Sequence, residues 1–258
     1  MKVKLLLAAL LTCIASAAMA TPAPSQKSNR PDPVSFTVLA EPQLILPMTE
    51  ITRIYALHRN VNMLTAFDDS VEQEMKLLDG EQGDVLITSY PAVITDLRQR
   101  GLIDVYSQAS VAADTLVLAA TSKEGRRNRG DLLTALTTQP LLLANSRRYI
   151  EGLYGHTIAR QLYDGESLLL EPKEYTLRNM LYDAVSKNDG IGILLQSEAK
   201  KLEGVDLIIP LNDAKHPPVV YQAFAVAGEN MPVARNFIEF LRSSEAQRIF
   251  MRHGFSQP

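Results

Sequence analysis

The sequence predicts an α/β protein of two lobes, each lobe a mostly parallel sheet flanked by helices, with a ligand cleft between them. Two observations lead to this prediction. Three strand-and-helix units follow one another in the first part of the chain, and a second set of strands and helices is inserted before the last strand. A chain of 258 residues with 46% apolar side chains can bury the cores that two such lobes need.

Alternation of strands and helices defines the first lobe. Each of three β-rich runs is followed by apolar residues at helical spacing or by a proline that opens a helix. The strands are Val34–Ala40, Val61–Phe67 and Asp84–Thr88, and the helices cover 49–59, include Leu77 and start at Pro91. The turns at 41–43, 69–70 and 88–90 fall at the carboxyl ends of these strands, where parallel sheets bind ligands.

A second α/β set is predicted between two connecting strands. Thr115–Ala120 leads out of the first unit, and Val219–Ala227 leads back into it. Between them lie the strands Leu141–Ala144 and Ile191–Leu195 and helices over 151–162 and 176–186. We therefore assign 34–118 and 219–258 to the first lobe and 119–218 to the second. A helix pair ends the chain, and the spacing of Ser244 and Gln247 predicts a capping box for its second helix.

The first residues have the pattern of an export signal. Lys2 and Lys4 precede a short apolar run, and Ala18-Met19-Ala20 is typical of a cleavage site. We expect a signal peptide over 1–20, cleavage after Ala20, a flexible linker over 21–33 and a periplasmic mature protein. The single cysteine, Cys13, lies in the signal peptide, so no disulfide is expected after cleavage.

Composition and motifs narrow the class of function. The net charge is −3 and the basic residues are scattered, which disfavours a nucleic-acid partner. The sequence has no nucleophile elbow, phosphate-binding loop or dinucleotide fingerprint, and its four histidines show no metal-binding spacing. Beyond the signal, no segment has the roughly 20 apolar residues of a membrane span. The sequence therefore predicts a binding protein, not an enzyme, without catalytic residues, metal or cofactor.

Four segments carry a resemblance to a known family. Phe36–Ala40, Gly83–Thr88, Asp189–Leu194 and Phe237–Phe255 follow one another as they do in periplasmic molybdate-binding proteins, and Glu245–Phe250 with His253–Phe255 is the most distinctive piece. The resemblance implies a type II periplasmic binding-protein fold. It also implies a monomeric receptor that delivers a small polar ligand, an oxyanion in the family, to an inner-membrane ABC permease.

The resemblance also implies ligand-binding positions. In the family, two serine hydroxyls, backbone N–H groups at helix starts and a tyrosine hydroxyl hold a tetrahedral oxyanion, a task that helix N-termini suit. The corresponding residues here are Gln43, Ser70, Glu151, Leu177 and Leu195. Only Ser70 keeps the family's residue type: Gln43 replaces a serine, Glu151 a small residue and Leu195 the tyrosine.

These replacements leave alternatives open. Glu151 either points inward, where it repels an anion, or lies outward in the first turn of its helix, where acids are favoured. Arg147, Arg148 and Arg178 are near enough in sequence to neutralise it. A neutral or amine-bearing metabolite suits Gln43 and Glu151. A second class of function is a binding-protein-like domain that recognises a protein partner, such as a sensor or membrane complex, instead of feeding a transporter.

Overall fold

The computed structural model describes residues 33–57, 59–122, 128–164, 170–211 and 216–258. The predicted signal peptide with Cys13, and the linker up to residue 32, lie outside the described residues. Within them, the strands are β1 (Val34–Ala40), β2 (Val61–Phe67), β3 (Val85–Thr88), β4 (Ile103–Asp114), β5 (Leu116–Ala120), β6 (Leu141–Ala144), β7 (Lys173–Tyr175), β8 (Ile191–Leu195), β9 (Leu207–Pro210) and β10 (Val219–Val226). The helices are α1 (Ile45–Leu57), α2 (Ser70–Leu78), α3 (Pro91–Gln99), α4 (Arg129–Ala135), α5 (Ile150–Asp164), α6 (Arg178–Ser186), α7 (Gln196–Ala199), α8 (Met231–Leu241) and α9 (Ser244–Arg252).

The first sheet brings the ends of three parallel strands to one edge. Its strand order is β2-β1-β3-β10-β4, with β1 parallel to both β2 and β3 and with β10 antiparallel to its neighbours. All four residues of β3 are buried, as expected for a parallel strand covered on both faces. Ala40 pairs with Phe67 and with Ile87, so β1, β2 and β3 end nearly level. The residues that follow these strands therefore meet at one edge.

The second sheet repeats this arrangement. Its order is β7-β6-β8-β5-β9, with β6 parallel to β7 and β8 and with β5 antiparallel to β8 and β9. The apolar strands β5, β6 and β8 are fully buried. The predicted fold of two helix-flanked sheets is therefore confirmed.

The chain passes between the sheets earlier than the sequence predicts. β4 ends in the first sheet at Asp114, and β5 begins in the second sheet at Leu116. Residues 116–118, which we assigned to the first lobe, therefore belong to the second sheet. The reason is Asp114, whose carboxylate accepts a hydrogen bond from the N–H of Thr115 and so ends the strand within an apolar run.

The helix pair at the end of the chain packs on the first sheet. Phe237 of α8 lies edge-on to Phe36 of β1 and to Tyr55 of α1, with ring centroids 5.8 and 4.9 Å apart. The predicted Ser244–Gln247 capping box is wrong: the cap is Ser243, which accepts from the N–H of Ala246. Across the described part of the chain, no helix has both the length and the apolar character to cross a membrane.

Candidate functional site

A buried glutamate organises the cleft edge of the first sheet. Glu41 follows β1 directly and is only 2% exposed. Its Oε1 accepts hydrogen bonds from Ser70 Oγ at 2.9 Å, from Ser89 Oγ at 2.8 Å and from the N–H of Ser89. Ser70 starts α2 and Ser89 follows β3, so the level ends of the parallel strands bring these donors together.

The second oxygen of this carboxylate has less support. Gln43 donates to Glu41 Oε2 across 3.5 Å, near the upper limit for a hydrogen bond, and its own Oε1 is buried with no partner. Burial raises the pKa of Glu41, while the donors on Ser89 and Ser70 and the charge of Arg178 oppose that rise. At this edge, Glu41 Oε1 therefore accepts three hydrogen bonds, whereas Glu41 Oε2 has only one long contact and Gln43 Oε1 has none.

The second lobe contributes a buried ion pair. Glu151, in the first turn of α5, has no exposed surface, and Arg178 is the first residue of α6. Arg178 binds Glu151 through two parallel bonds, Nε to Oε1 at 2.5 Å and Nη2 to Oε2 at 3.0 Å. The guanidinium also lies 4.3 Å from the centroid of the Tyr149 ring. Burial lowers the pKa of Arg178, but the charge and hydrogen bond of Glu151, together with Tyr182 and Glu41, hold the pKa well above its ordinary value.

A close approach of backbone brings α5 to this edge. A Cβ atom on Gly152 would lie 2.5 Å from the carbonyl oxygens of Ala144 and Asn145, at the end of β6. Glycine is therefore the residue that allows the first turn of α5, with Glu151, to begin directly against the strand end.

Two contacts join the lobes at the rim of the cleft. Arg148 Nη2 lies 2.5 Å from Asp69 Oδ2, and the Tyr90 hydroxyl donates to the carbonyl oxygen of Ser146 at 2.7 Å. Asp69 and Tyr90 belong to the first lobe, whereas Arg148 and Ser146 precede α5 in the second. The chain's own polar groups therefore hold the two strand edges together.

Two tyrosine hydroxyls lie in the same electrostatic environment and have no hydrogen-bond partner. They belong to Tyr221 on β10 and to Tyr182 on α6, and both oxygens are buried. Burial raises the pKa of each phenol, and each is also influenced by the charges of Arg178 and Glu151. Glu41 acts on Tyr221 and is itself influenced by Arg178, so these groups from both lobes are within electrostatic reach of one another.

The connection between the sheets contains a further buried acid. Asp114 is 8% exposed, and its Oδ2 accepts from Ser197 Oγ at 2.5 Å, while Oδ1 accepts from the N–H of Thr115 at 2.7 Å and of Ser197 at 3.3 Å. Burial raises the pKa of Asp114 to about 6, against the opposing effect of these hydrogen bonds. The acid thus ties the end of β4 in one lobe to the start of α7 in the other.

The comparisons with known proteins agree with this geometry of two facing strand edges. The sequence matches the family of bacterial extracellular solute-binding proteins over residues 36–256. The chain belongs to this family. This solute-binding protein is 23% identical over 233 residues to the molybdate-binding protein ModA of Escherichia coli (strain K12), a match that covers 87% of the chain and 90% of the relative.

Solved structures show the same fold. This solute-binding protein superposes on an ABC-transporter substrate-binding domain from Clostridium difficile with a TM-score of 0.71 and 18% identity, covering 87% of the chain and 99% of that domain. It superposes on the periplasmic molybdate-binding protein of Azotobacter vinelandii with a TM-score of 0.67 and 14% identity, covering 86% and 99%. The predicted family resemblance and the type II fold are thereby confirmed.

The positions that the resemblance implied fall in different environments. Gln43 and Ser70 lie together around Glu41 at the first edge, and Glu151 is buried and paired with Arg178, one of the arginines that the sequence offered as its neutraliser. Leu177 is the N-cap residue of α6 and is 43% exposed. Leu195 ends β8 with no exposed surface. Their roles in ligand binding stay a prediction.

Sequence reasoning missed the central residue of this solute-binding protein's cleft. Glu41 directly follows an apolar strand, at the edge where parallel sheets bind ligands. A charged residue at such a position could have indicated from the sequence that Glu41 belongs to the site. Tyr221 and Tyr182 gave no such signal, because they lie within periodic apolar segments. Among the described residues, no group of three or more His, Cys, Asp or Glu side chains is arranged to hold a metal ion.

Proposed function

We propose that this protein is the periplasmic solute receptor of an ABC importer. It binds a small polar solute between its lobes, leaves that solute chemically unchanged, and delivers it as a monomer to an inner-membrane permease. Family membership, the names of its relatives and the predicted export signal support this proposal. Type II lobes that meet at their strand edges suit capture by closure of a cleft.

The ligand differs from molybdate, and the observation that carries this part of the proposal is the position of the Glu41 carboxylate. Its Oε1 occupies the hydroxyls of Ser70 and Ser89 and the N–H of Ser89, so these donors are not available to an oxyanion at this edge. An anion placed about 4 Å from Glu41 is repelled by roughly 4 kcal/mol per pair of unit charges at an effective dielectric constant near 20. The chain's own carboxylate therefore takes the place of the oxyanion.

The proposed site residues have distinct roles. Glu41 and Gln43 face the solute with their unsupplied oxygens, and Ser70 holds Glu41 in position. Glu151 fixes Arg178 beneath the second lobe's edge. We assign Leu177 and Leu195 to the apolar boundary of the site, since neither side chain offers a hydrogen bond.

A protein partner is the second candidate. The contacts between Asp69 and Arg148 and between Tyr90 and Ser146 close the lobes with the chain's own groups. Such closure would suit a domain that presents a fixed surface to a sensor or a membrane complex.

Thermal-shift and scattering measurements test these proposals. Oxyanions, amino acids, polyamines and organic acids are screened against the purified mature protein. A solute at one hundred times its Kd stabilises by about 2.7 kcal/mol, or roughly 5–11 °C in Tm for a chain of this size. Binding of at least one solute together with a smaller radius of gyration supports the receptor. If no solute shifts Tm, the partner-binding function is favoured instead.

A matched pair of variants tests the role of Glu41. Glu41→Ala frees donors on Ser70 and Ser89, and two charge-assisted hydrogen bonds of about 1.5–3 kcal/mol each raise molybdate affinity by roughly two to four decades. Glu81→Ala removes an exposed carboxylate from the same lobe and leaves molybdate binding unchanged. Tight molybdate binding by the natural protein in calorimetry contradicts the assignment.

A further inference from the structure

Three buried polar atoms have no hydrogen-bond partner: one lies beside Glu41, one lies on β10 next to the residue that pairs with Thr88 at the end of β3, and one lies on α6 in the second lobe. They are Gln43 Oε1, the Tyr221 hydroxyl and the Tyr182 hydroxyl. Gln43 is 1% exposed and Tyr221 has no exposed surface. Native proteins satisfy nearly all buried polar atoms, so unpartnered atoms on both lobes of a binding cleft indicate that a bound molecule supplies their partners. Arg148 Nε and Gln73 Oε1 are also unpartnered, but the Arg148 guanidinium already binds Asp69 at the rim and the Gln73 amide already donates to the carbonyl oxygen of Asp68.

The charges around these atoms leave a negative excess. Glu41 and Glu151 are acidic and Arg178 is the only basic residue among these three, with both of its bonds directed to Glu151. Asp114 adds a further buried acid that acts on both tyrosines. An uncompensated buried charge is costly, so a ligand that carries one positive charge completes this site better than a neutral or anionic one.

The polar atoms of this site that lack good hydrogen bonds can accept hydrogen bonds from a ligand. Glu41 Oε1 already has three donors, but Glu41 Oε2 has only the long contact from Gln43, and Gln43 Oε1 has no donor. A tyrosine hydroxyl can accept as well as donate. An ammonium group carries three donors and no acceptor, which matches Glu41 Oε2, Gln43 Oε1 and one phenol oxygen.

The geometry points to a solute with a primary ammonium group, bound between Glu41, Gln43 and Tyr221. This inference rests on the proposed receptor function and names the chemical class of its solute. It requires that the charge and the N–H donors both contribute to affinity. A hydroxyl in place of the ammonium group therefore loses binding, and so does a quaternary ammonium group without N–H donors.

The experiment uses isosteric pairs of probes with the mature protein. Ethanolamine is compared with ethylene glycol, putrescine with 1,4-butanediol, and tetramethylammonium serves as the cation without donors. We expect an amine to raise Tm and to bind in calorimetry at least tenfold more tightly than its diol, with no response to tetramethylammonium. Equal responses to amine and diol, or no response to either amine, overturn the ammonium assignment.

Variants locate the amine in the cleft. Tyr221→Phe and Gln43→Met each remove one acceptor and weaken amine binding at least tenfold, and Glu41→Gln abolishes it by removing the charge. Glu81→Gln is the matched control and leaves binding unchanged. If Glu41→Gln does not fold, the test depends on Tyr221→Phe and Gln43→Met. Unchanged amine affinity in both of these variants contradicts the proposed location of the amine. If the amines fail but another polar solute binds, the receptor function stands and the ammonium inference falls. If no solute of any class binds, the receptor function falls too.

Discussion

Replacing Glu151 by glutamine removes one charge from a buried pair without changing the volume of the side chain. Glu151 has no exposed surface, and the side chain of Arg178 is 11% exposed, so the remaining guanidinium cannot regain its water shell. Breaking a buried pair from one side costs about 3–5 kcal/mol. Since glutamine still accepts one bond from Arg178, we expect about 3 kcal/mol of the free energy of unfolding to be lost, or roughly 6–12 °C in Tm.

Urea denaturation measures this loss, because an unchanged slope with a lower midpoint reports stability alone. Glu81→Gln is the control and changes the free energy of unfolding by no more than about 0.5 kcal/mol. The double variant Glu151→Leu with Arg178→Met recovers most of the loss, since methionine keeps the contact with the Tyr149 ring and no charge stays buried.

The result that refutes this reasoning is a Glu151→Gln variant as stable as the natural protein. The ion pair would then be hydrated in solution, and the close packing of α5 and α6 at the cleft edge would not hold. A double variant less stable than Glu151→Gln would likewise show that Arg178 has a stabilising partner other than Glu151.

Three further measurements concern the buried Asp114 between the two sheets, the start of α5 and the rim of the cleft. Burial raises the pKa of Asp114 from 3.8 to about 6, so its protonation stabilises the folded protein as the pH falls from about 6 towards 4. A rise of two pKa units corresponds to a gain of roughly 3 kcal/mol in the free energy of unfolding between pH 7 and pH 4. We expect Asp114→Asn to lack this gain. If the natural protein and the variant respond to pH in parallel, the raised pKa of Asp114 is contradicted. We expect Gly152→Ala to lower the free energy of unfolding by about 1–3 kcal/mol, because its Cβ meets backbone oxygens at 2.5 Å. Gly228→Ala is the control, since its Cβ meets nothing within 4 Å, and it changes this free energy by no more than about 0.5 kcal/mol. Equal Tm values for the two variants refute the close approach. Tyr90→Phe removes the hydrogen bond across the cleft, so we expect the free energy of unfolding to fall by about 0.5–1.5 kcal/mol and the radius of gyration in solution scattering to increase. If neither quantity changes, the rim contact is absent in solution.

Long apolar runs made most of the fold predictable from the sequence. β1, β2, β6 and β8 have the predicted bounds, because each is a short run of apolar and β-branched residues between clear turn signals. The strand β4 was missed because it is an edge strand in which exposed polar residues such as Gln108 and Ser110 interrupt the apolar ones, so its pattern resembles a loop. The short strands β7 and β9 give too few residues for a period to be read.

The candidate site was only partly predictable, for a related reason. Ser70 and Gln43 could be placed because they follow strand ends, where the sheet topology fixes the edge. The pairing of Glu151 with Arg178 spans 27 residues, and the sequence offered Arg147 and Arg148 as equal partners. The choice depends on how α6 packs beside α5, and no local pattern contains that information.

The sequence by itself determined the alternation of strands and helices, the residues that follow the strand ends and the family, since these follow from local periodicity and short motifs. The tertiary structure alone decided what that edge contains. Level strand ends place the donors of Ser70 and Ser89 on Glu41, and packing around α6 and β10 leaves the hydroxyls of Tyr182 and Tyr221 buried without partners. Hydrogen bonding and burial depend on residues far apart in the chain. The hydrogen bonds that Glu41 accepts from Ser70 and Ser89 are therefore visible only once the chain is folded.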